Sequence, residues 1–487
     1  MSDLVTIVRA LRTAGLLVHV PDGLPAITGV TADSRRVQPG ALFCAVEGTV
    51  ADGHGFVADA RARGAAAALV ARPVDDPIPQ IVVADGRTAA AAAAAVWFGR
   101  PADRLELIGV TGTNGKSTTV ALTRHLLNAA GNVGALGTLG GMDGAGEVLP
   151  ANAGLTTPGP VELHAAFAEL ARRGVRTVVM ETSSHALHQR RVAGLRFAAG
   201  IYTNLTHDHL DYHGDYESYL AAKALLSAHV VAGGLEVVNL DDPAWAGLPR
   251  RESLRRLTFG MSARADVAAD GVRLEAQGAA FHLRLGSATT DAFVPLMGEF
   301  NVSNALGAAA VAWGRGLTPE TIAARLAGAP QVSGRMERLA SAGFTVLRDF
   351  AHTPDALRRA LRALRPLTTG RLIVLFGCGG DRDRRKRPVM GEIAAQDADF
   401  AVVTSDNPRS EDPERIIDEI EEGMGAVAHL RIADRRAAIH RALALLQPGD
   451  CLLLAGKGHE TYQVVDTTPL PFDERVIVRD ALERARR

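Results

Sequence analysis

One segment constrains the fold of this chain more than any other. The apolar run Leu105–Val110 is followed by Thr111-Gly112-Thr113-Asn114-Gly115-Lys116-Ser117-Thr118, and a helical pattern begins directly after it. Strand, glycine loop, Lys-Ser pair and helix come in this order where α/β proteins bind phosphate, because glycine lets backbone N–H groups approach the anion. Val110 stands where the generic loop has its first glycine, so this is a variant built on Gly112. The segment predicts a parallel sheet with a phosphate site at its carboxyl edge.

The composition is typical of a globular enzyme and argues against several kinds of partner. The chain has 487 residues, 47% hydrophobic and 22% charged, with a formal net charge of -1, which gives nucleic acid or an anionic membrane no electrostatic attraction. Cys44, Cys378 and Cys451 share no metal or redox spacing and fit a reducing compartment. Met1–Gly15 has the pattern of an amphipathic helix rather than a signal peptide, and the longest apolar stretch, Ala89–Phe98, is too short to span a bilayer. We therefore expect a cytoplasmic monomer with small-molecule substrates, no nucleic acid and no membrane.

Lysine is scarce in this chain. Of 53 basic residues only four are lysine, which leaves 53 − 4 = 49 arginines. We interpret this as the drift of a GC-rich genome from lysine to arginine wherever arginine serves. The remaining lysines then mark positions where a guanidinium group fails, because the two side chains differ in pKa, shape and nucleophilicity. Chance survival is the alternative at each position. The four are Lys116, Lys223, Lys386 and Lys457.

The chain divides into three blocks, which we predict to be three α/β domains. Residues 1–101 mix short apolar runs with turns, residues 102–333 alternate strand and helix patterns, and residues 334–487 begin a second alternation after the Gly/Pro-rich stretch Gly328–Gly334. The second block predicts a parallel sheet of the P-loop type, and the third a Rossmann-like sheet. The predicted strands of the third block are Phe344–Arg348, Arg371–Phe376, Phe400–Thr404 and Cys451–Ala455. Two alanine runs, Ala65–Ala68 and Ala89–Ala95, are predicted to be helix surface and packing.

Polar clusters follow two further predicted strands of the second block. Val175–Met180 runs into Glu181, and Gly200–Thr203 leads into Asn204–His213, which holds three histidines and two aspartates within seven residues. A carboxylate at the carboxyl end of a sheet strand points into the crevice where α/β folds bind ligands. The cluster suggests a metal or phosphate site, with a solvated loop as the alternative. Lys223, on a predicted helix just beyond, could offset phosphate charge or take up CO₂ to become a carbamate ligand.

Together these segments resemble the central domain of the Mur ligases and of the related folylpolyglutamate synthases. The resemblance implies a P-loop ATPase-like domain that uses ATP and Mg²⁺. In the family a serine, a glutamate, a histidine and a carbamylated lysine organise two Mg²⁺ ions, and the matching residues are Ser117, Glu181, His209 and Lys223, with Lys116, Lys223, Glu181 and His209 as the catalytic set. The nucleotide contacts that it implies are Gly112, Thr113, Asn114, Gly115, Lys116, Ser117 and Thr118, with Asn301, Arg335, Asp349 and His352 further on. Taken alone, Asn301 is equally explained as a helix cap and Asp349 as a strand-end cap.

The first block carries motifs whose default explanation is structural turns. They are Thr31–Arg36, Gly40–Ala45 and Gly48–Gly53. By resemblance they form the UDP-binding domain of the MurE-type branch, with Ser34 on the UDP-sugar, a domain that folylpolyglutamate synthases lack. The positions that hold the muramoyl dipeptide in that branch match Thr156, Thr157, Ser183, Gln189 and Arg191. Leu155 departs from the pattern, since some relatives carry asparagine there.

Three polar loops of the third block each follow a predicted strand. They are Gly377–Asp383, Asp406–Arg409 and Gly456–Glu460, and loops at the carboxyl ends of parallel strands should converge on one crevice. The basic run Arg384–Arg387 has acidic neighbours, which argues against a nucleic-acid patch. In MurE-type ligases Asp-Asn-Pro-Arg marks selection of meso-diaminopimelate over L-lysine, and an arginine can grip the distal carboxylate that lysine lacks. The matching residues are Arg382, Asp406, Asn407, Pro408, Arg409, Gly456 and Glu460.

The resemblance covers essentially the whole chain, in order. It implies an ATP-dependent ligase that adds meso-2,6-diaminopimelate to the D-Glu side chain of UDP-N-acetylmuramoyl-L-Ala-D-Glu, through an acyl phosphate, in peptidoglycan precursor synthesis. No general base for the attacking amine is evident. A folylpolyglutamate synthase, a D-alanyl-D-alanine-adding ligase and a nucleotide-binding switch without ligase activity are the alternatives.

Overall fold

The computed structural model of the chain describes residues 3–48, 51–149, 155–206, 208–341 and 343–485. They form two compact units. The first runs from the N-terminus to Ala269 and includes Arg284–Thr289 and Asn304–Ile322; the second comprises Asp270–Leu283, Thr290–Ser303 and Ala323 to the C-terminus. Within the described ranges, no helix is long and apolar enough to cross a membrane.

The N-terminal part of the first unit is a small α/β sheet with strand order β1-β5-β4-β3-β2. Helix α1 starts where the Asp3 carboxylate accepts from Thr6 N, and it buries Leu4, Ile7 and Leu11 along one face at helical spacing. The elements are α1 (Leu4–Thr13), β1 (Leu17–His19), β2 (Gly29–Thr31), β3 (Ala41–Cys44), α2 (Val57–Ala62), β4 (Ala67–Val70), β5 (Gln80–Val83) and α3 (Gly86–Trp97).

One of the two alanine predictions is wrong. Ala89–Ala95 does lie in α3, where most of the run is buried, but Ala65–Ala68 leads into strand β4. Strand β4 is buried along its whole length between two parallel neighbours. Small side chains suit a strand covered on both faces, so tertiary burial overrides the helix propensity of alanine.

The central part of the first unit is built on a mainly parallel sheet. Its elements are β6 (Glu106–Thr111), α4 (Lys116–Leu127), β7 (Val133–Gly137), β8 (Gly140–Met142), α5 (Pro160–Arg172), β9 (Thr177–Glu181), α6 (Ser184–His188), β10 (Phe197–Tyr202), α7 (Leu210–His213), α8 (Tyr216–Ala224), α9 (Leu226–His229), β11 (Val230–Asn239) and β12 (Arg255–Gly260). The order β12-β11-β10-β6-β9-β7-β8 puts β10, β6 and β9 side by side. All three are parallel, so the segments that follow them emerge at one edge, as predicted.

The chain then continues through β13 (Val267–Glu275), β14 (Gly278–Leu285), β15 (Ala288–Val294), α10 (Glu299–Gly314) and α11 (Pro319–Ala327). The start of β13 pairs in parallel with β12.

The remaining part of the second unit is the predicted Rossmann-like sheet. Its order is β16-β17-β21-β18-β19-β20, parallel except for the antiparallel edge strand β16. The four strands expected from the sequence are β17, β18, β19 and β21, with ends within a residue of the prediction. The elements are β16 (Glu337–Ser341), β17 (Thr345–Asp349), α12 (Pro354–Leu364), β18 (Leu372–Phe376), α13 (Lys386–Asp397), β19 (Phe400–Val403), α14 (Pro413–Glu421), β20 (His429–Arg431), α15 (Arg435–Ala444), β21 (Cys451–Ala455), the hairpin β22 (Tyr462–Val465) and β23 (Thr468–Pro471), and α16 (Glu474–Ala485).

Candidate active site

The phosphate loop is braced by the segment that leaves β10. Gly112 has φ +144, and a Cβ there would lie 1.9 Å from Thr203 Oγ1, so only glycine fits. Thr113 N donates to Asn204 O at 2.7 Å, and Asn114 N donates to Asn204 Oδ1 at 2.9 Å. The loop is therefore fixed in shape by its neighbour in the sheet.

The Lys116 ammonium and the N-terminus of a helix lie together at the start of α4. The helix begins at Lys116, and its N-terminal N–H groups carry the positive end of the helix dipole. Lys116 Nζ donates to Gly112 O at 2.9 Å and to Thr113 O at 2.7 Å, so the ammonium lies against the loop. Gly115 has φ +84, and a Cβ there would lie 2.2 Å from Asn304 Oδ1. These features favour binding of a polyphosphate.

Glu181 is a fixed, buried carboxylate beside the phosphate loop. It is 2% exposed. Ser117 Oγ donates to Glu181 Oε1 at 2.9 Å, while Thr138 donates from its N (2.9 Å) and its Oγ1 (3.2 Å). A Cβ on Gly137 would lie 2.3 Å from Oε1. The sequence pairs Ser117 with Glu181 but gives no role to Thr138; its place directly after β7, the neighbour of β9, is the signal that could have found it.

Lys223 is buried against the same loop. Its Nζ donates to Gly112 O at 2.7 Å and lies 4.5 Å from the centre of the Tyr219 ring. Burial lowers the pKa of Lys223 well below its usual value, and the charge of Lys116 lowers it further. A lowered pKa favours the neutral amine, which is the form that reacts with CO₂.

His209 belongs to a cluster of aromatic rings. Its ring centre lies 4.7 Å from that of His185, which stacks on Tyr212 at 4.2 Å, and burial lowers the pKa of His209. His207 of the same segment lies outside the described residues. Across the ranges that the structure describes, no group of three or more His, Cys, Asp or Glu side chains is placed to hold a metal.

Three of the four predicted metal ligands, Ser117, Glu181 and Lys223, lie beside the phosphate loop. A hydroxyl and a carboxylate already touch, and the Lys223 amine, whose pKa is lowered by burial, lies at the same loop. Carbamylation would make that amine a third oxygen donor, and oxygen donors are what Mg²⁺ prefers. The charges of Lys116 and Lys223 also act on the pKa of His209, so these groups share one electrostatic neighbourhood. The residues present fit Mg²⁺.

Five of the six residues predicted to hold the muramoyl dipeptide lie in one hydrogen-bond network. Thr157 Oγ1 donates to Glu181 O at 2.8 Å and accepts from Ser183 N at 3.0 Å. Arg191 Nη1 donates to Thr157 O at 2.9 Å, and its Nη2 donates to Gln189 Oε1 at 2.6 Å. Thr138 Oγ1 lies 3.1 Å from Thr156 Oγ1, which completes the chain of contacts.

Ser34 lies apart from that network. It starts a short 3-10 helix whose N-cap is Asp33, in the N-terminal sheet. Within the described part of the chain it shares no hydrogen bond with the other five residues. The neighbouring Arg36 reaches Glu162 of α5 at 3.8 Å, so this corner does contact the central part of the unit.

Three of the four outlying residues that are predicted to contact the nucleotide, Arg335, Asp349 and His352, lie together at the carboxyl end of β17. Asp349 Oδ2 accepts from Met336 N at 2.7 Å, and burial raises the pKa of Asp349 although the charge of Arg335 opposes that shift. The Arg335 guanidinium lies 4.7 Å from the centre of the Phe350 ring, and Phe350 O is 2.7 Å from His352 Nδ1.

Asn301, in contrast, lies in the first turn of α10, where its Nδ2 donates to Met297 O at 2.8 Å, in keeping with a structural role at the start of that helix.

The three loops of the Rossmann-like sheet converge as predicted. Arg409 has φ +52, and its Nη1 donates to Gly380 O at 2.7 Å. A Cβ on Gly379 would lie 3.0 Å from Arg409 Nη1 and 3.7 Å from Arg382 Cγ, so both guanidinium side chains border one glycine. The loops after β18 and β19 therefore place two arginines together.

Two carboxylates complete this corner of the sheet. Asp406 is buried, and its Oδ2 has no hydrogen-bond partner among the described residues. A Cβ on Gly456, which has φ +114, would lie 2.5 Å from that oxygen. Asn407 Nδ2 donates to Glu460 Oε2 at 3.0 Å, and Pro408 is buried beside it. Arginines and carboxylates at one crevice suit a ligand with both carboxylate and ammonium groups.

Family comparisons agree with this arrangement. Residues 26–106 match the model described as Mur ligase family, catalytic domain, residues 110–312 match the Mur ligase middle domain, and residues 334–458 match the Mur ligase, glutamate ligase domain. The chain belongs to the Mur ligase family. The order of the matches is that of the three predicted blocks, whose exact boundaries stay predictions.

Named Mur ligases resemble the chain over nearly its full length. A UDP-N-acetylmuramoyl-L-alanyl-D-glutamate--2,6-diaminopimelate ligase of Geobacillus kaustophilus is 43% identical, covering 97% of this chain and 99% of the relative. A ligase of the same name from Solibacter usitatus is 46% identical, covering 94% of each chain. A solved structure of an enzyme with that name superposes with a TM-score of 0.67 at 31% identity, covering 96% of this chain and 98% of the other. The three-domain α/β fold is thus that of the Mur ligases.

Proposed function

We propose that this chain joins meso-2,6-diaminopimelate to the D-Glu side-chain carboxylate of UDP-N-acetylmuramoyl-L-Ala-D-Glu, with hydrolysis of ATP to ADP and phosphate. The observation that carries the proposal is the convergence of Arg382, Arg409, Asp406 and Glu460 at the carboxyl edge of the C-terminal sheet. Relatives that bear the name of this activity support it. Because the product is a peptidoglycan precursor made with ATP, we place the reaction in the cytoplasm.

The first step transfers the γ-phosphoryl group of ATP to the D-Glu carboxylate. A carboxylate oxygen attacks phosphorus, the bond to the β-phosphate oxygen breaks, and ADP leaves with the bonding pair. The phosphate loop and the start of α4 hold the β- and γ-phosphates, and Lys116 stabilises the charge that develops on the transferring group. When bound at Ser117, Glu181, His209 and carbamylated Lys223, Mg²⁺ supplies further neutralisation of phosphate charge.

The second step forms the amide bond. The neutral amine of diaminopimelate attacks the acyl carbon, a tetrahedral intermediate forms, the nitrogen gives up one proton to solvent, and phosphate leaves with the electrons of the C–O bond. Binding of the amino acid lowers the barrier by holding the amine in position. The residues that would do this are those at the three loops of the C-terminal sheet.

Selection of diaminopimelate follows from the two arginines. The distal carboxylate can accept two parallel hydrogen bonds from a guanidinium group. L-Lysine has no such carboxylate, so it would leave the half-buried Arg409 guanidinium without a carboxylate partner, which disfavours binding. Asp406 and Glu460 can accept from the ammonium group beside that carboxylate.

The proposal is tested by identifying the product. The purified chain is incubated with ATP, Mg²⁺, the UDP-muramoyl dipeptide and meso-diaminopimelate, and the mass of the UDP-linked product is measured by mass spectrometry. We expect a mass gain of one diaminopimelate less one water, with ADP and phosphate formed in equal amounts. Omission of the dipeptide or of the amino acid is the control, and no product from the complete mixture would refute the proposal.

A further inference from the structure

Lys457 is a lysine that the proposed chemistry does not use. Its side chain is completely buried in the turn after β21. Lys116 and Lys223 both contact the phosphate loop, but Lys457 lies among the amino-acid-binding loops of the other unit. A buried ammonium is costly unless hydrogen bonds compensate for the lost water, so its partners indicate its role.

The Lys457 ammonium ties three segments together. Its Nζ donates to Asn407 Oδ1 at 2.8 Å and to Tyr462 O at 2.8 Å, and it lies 3.4 Å from Glu460 Oε2. These partners belong to the loop after β19, to strand β22 and to the turn after β21. An ammonium has three donors, and all three are accounted for. A planar guanidinium could not make the same contacts in a fully buried space, which explains lysine in an arginine-rich chain.

The contact fixes the orientation of the Asn407 amide. Asn407 Oδ1 accepts from Lys457 Nζ and also from Val464 N at 2.9 Å. Its Nδ2 is therefore directed at Glu460 Oε2, to which it donates at 3.0 Å. Turning the amide over would exchange two accepted hydrogen bonds for donor–donor contacts. Glu460 is consequently held through Oε2, and its Oε1 makes no hydrogen bond within the described ranges.

A second carboxylate in the same place lacks a partner. Asp406 is 8% exposed, and its Oδ2 has no hydrogen bond among the described residues. Gly456 leaves the space in front of that oxygen open, since any Cβ there would lie 2.5 Å away. Buried polar atoms are normally satisfied, so an unpartnered carboxylate oxygen in a binding loop indicates an acceptor for a ligand. Asp406 Oδ2 and Glu460 Oε1 are suited to a substrate ammonium group.

We infer that Lys457 is a positioning residue for the amino-acid substrate. By holding Asn407 and Glu460 it directs carboxylate oxygens to the substrate ammonium, next to the carboxylate gripped by Arg409. Lys457 also offsets the charge of the two carboxylates until the substrate binds. This inference rests on the proposed function, because it assigns Lys457 to the selection of diaminopimelate.

The test compares Lys457→Met with wild type by steady-state phosphate release, varying diaminopimelate, ATP and the UDP-dipeptide in turn. Methionine keeps the length of the side chain and removes the three donors. We expect the KM for diaminopimelate to rise about tenfold or more, with the KM for ATP changed by less than about twofold, because only one substrate site loses its geometry. Lys457→Arg should show the same KM split, that is, a raised KM for diaminopimelate with a nearly unchanged KM for ATP.

Arg371→Met is the matched control. It removes a cation that pairs with Asp450 at the opposite end of the same sheet, just before β18. It should lower the melting temperature without the KM split. If Lys457→Met does not fold by circular dichroism, Lys457→Gln, which keeps one donor group, replaces it and must show the split.

A KM for diaminopimelate within about twofold of wild type, or equal increases for all three substrates, would overturn the inference while leaving the proposed function intact. A wild-type chain that releases no phosphate with diaminopimelate would overturn both.

Discussion

At the scale of single residues, the site depends on a few side chains whose surroundings decide their chemistry. The clearest is Lys223, whose burial and whose neighbour Lys116 lower its pKa well below the usual value. A charged lysine cannot react with CO₂, so this environment is what a carbamate requires. Lys223 also shows how much the sequence alone can predict. The scarcity of lysine in this chain and the position of Lys223 after Asn204–His213 suggest a carbamate or a charge partner, but only the fold shows its contact with Gly112 O.

We predict that Lys223→Ala abolishes most ligase turnover, by about 10²-fold or more, because a charge-stabilising group at the transferring phosphate is lost. Short carboxylic acids such as propionate should restore part of the rate by supplying the missing oxygens. The measurement is phosphate release with and without propionate. Lys116→Ala is the control, because this variant loses an ammonium group, which the carboxylate of propionate cannot replace. Full activity of Lys223→Ala, or equal rescue of both variants, would contradict the carbamate proposal.

Residues whose role depends on sheet order escape sequence reasoning. Glu181 could be assigned because it ends a predicted strand, whereas Thr138 donates to Glu181 only because β7 lies beside β9. That pairing brings together residues far apart in the chain, and no local pattern encodes it. Asn204 and Asn304, which shape the phosphate loop, belong to the same class.

At the scale of elements, long apolar strands followed by polar loops were predictable, because burial on both faces leaves a continuous hydrophobic run. Strands β17, β18, β19 and β21 lie where the sequence placed them. The run Ala65–Ala68 was not predictable in the same way, since alanine fits both a helix and a crowded strand. The hairpin β22–β23 also had no sequence signal, although Lys457 and Asn407 both bind it.

Helices α15 and α16 are joined by a completely buried ion pair. Arg435 Nη2 lies 2.8 Å from Glu474 Oε1, both side chains are 0% exposed, and Arg435 also donates to Ser405 O and Ala455 O at the ends of β19 and β21. We predict that Arg435→Met lowers the free energy of unfolding by about 3 kcal/mol or more, because the Glu474 carboxylate would stay buried without its partner.

Urea denaturation measures this, with Arg479→Met as the control. Arg479 pairs with Asp480 on the exposed face of α16, so its loss should change stability by less than about 1 kcal/mol. Equal effects of the two substitutions would show that the buried pair contributes nothing beyond an exposed one.

At the scale of the whole molecule, the proposed site residues are divided between the two units: the phosphate loop and the proposed muramoyl-dipeptide network lie in the first, whereas the proposed amino-acid loops and the predicted nucleotide contacts Arg335, Asp349 and His352 lie in the second. The order of motifs along the chain predicts a separate role for each block, and that assignment of roles stays a prediction. The sequence predicts domain boundaries at 101/102 and 333/334. Between residues 270 and 322 the chain alternates between the two compact units, so their limits follow a different division. Such alternation of the chain between two compact units follows from tertiary packing rather than from local composition.

The most direct measurement is the ratio of kcat/KM for meso-diaminopimelate to that for L-lysine, determined for wild type and for Arg409→Ala. We predict that the wild type prefers diaminopimelate by about 10³-fold or more, because lysine leaves the Arg409 guanidinium without a carboxylate partner. In Arg409→Ala this ratio should fall sharply, with the KM for ATP little changed. Equal use of the two amino acids by the wild type, or an undiminished preference in Arg409→Ala, would contradict the assignment of this site.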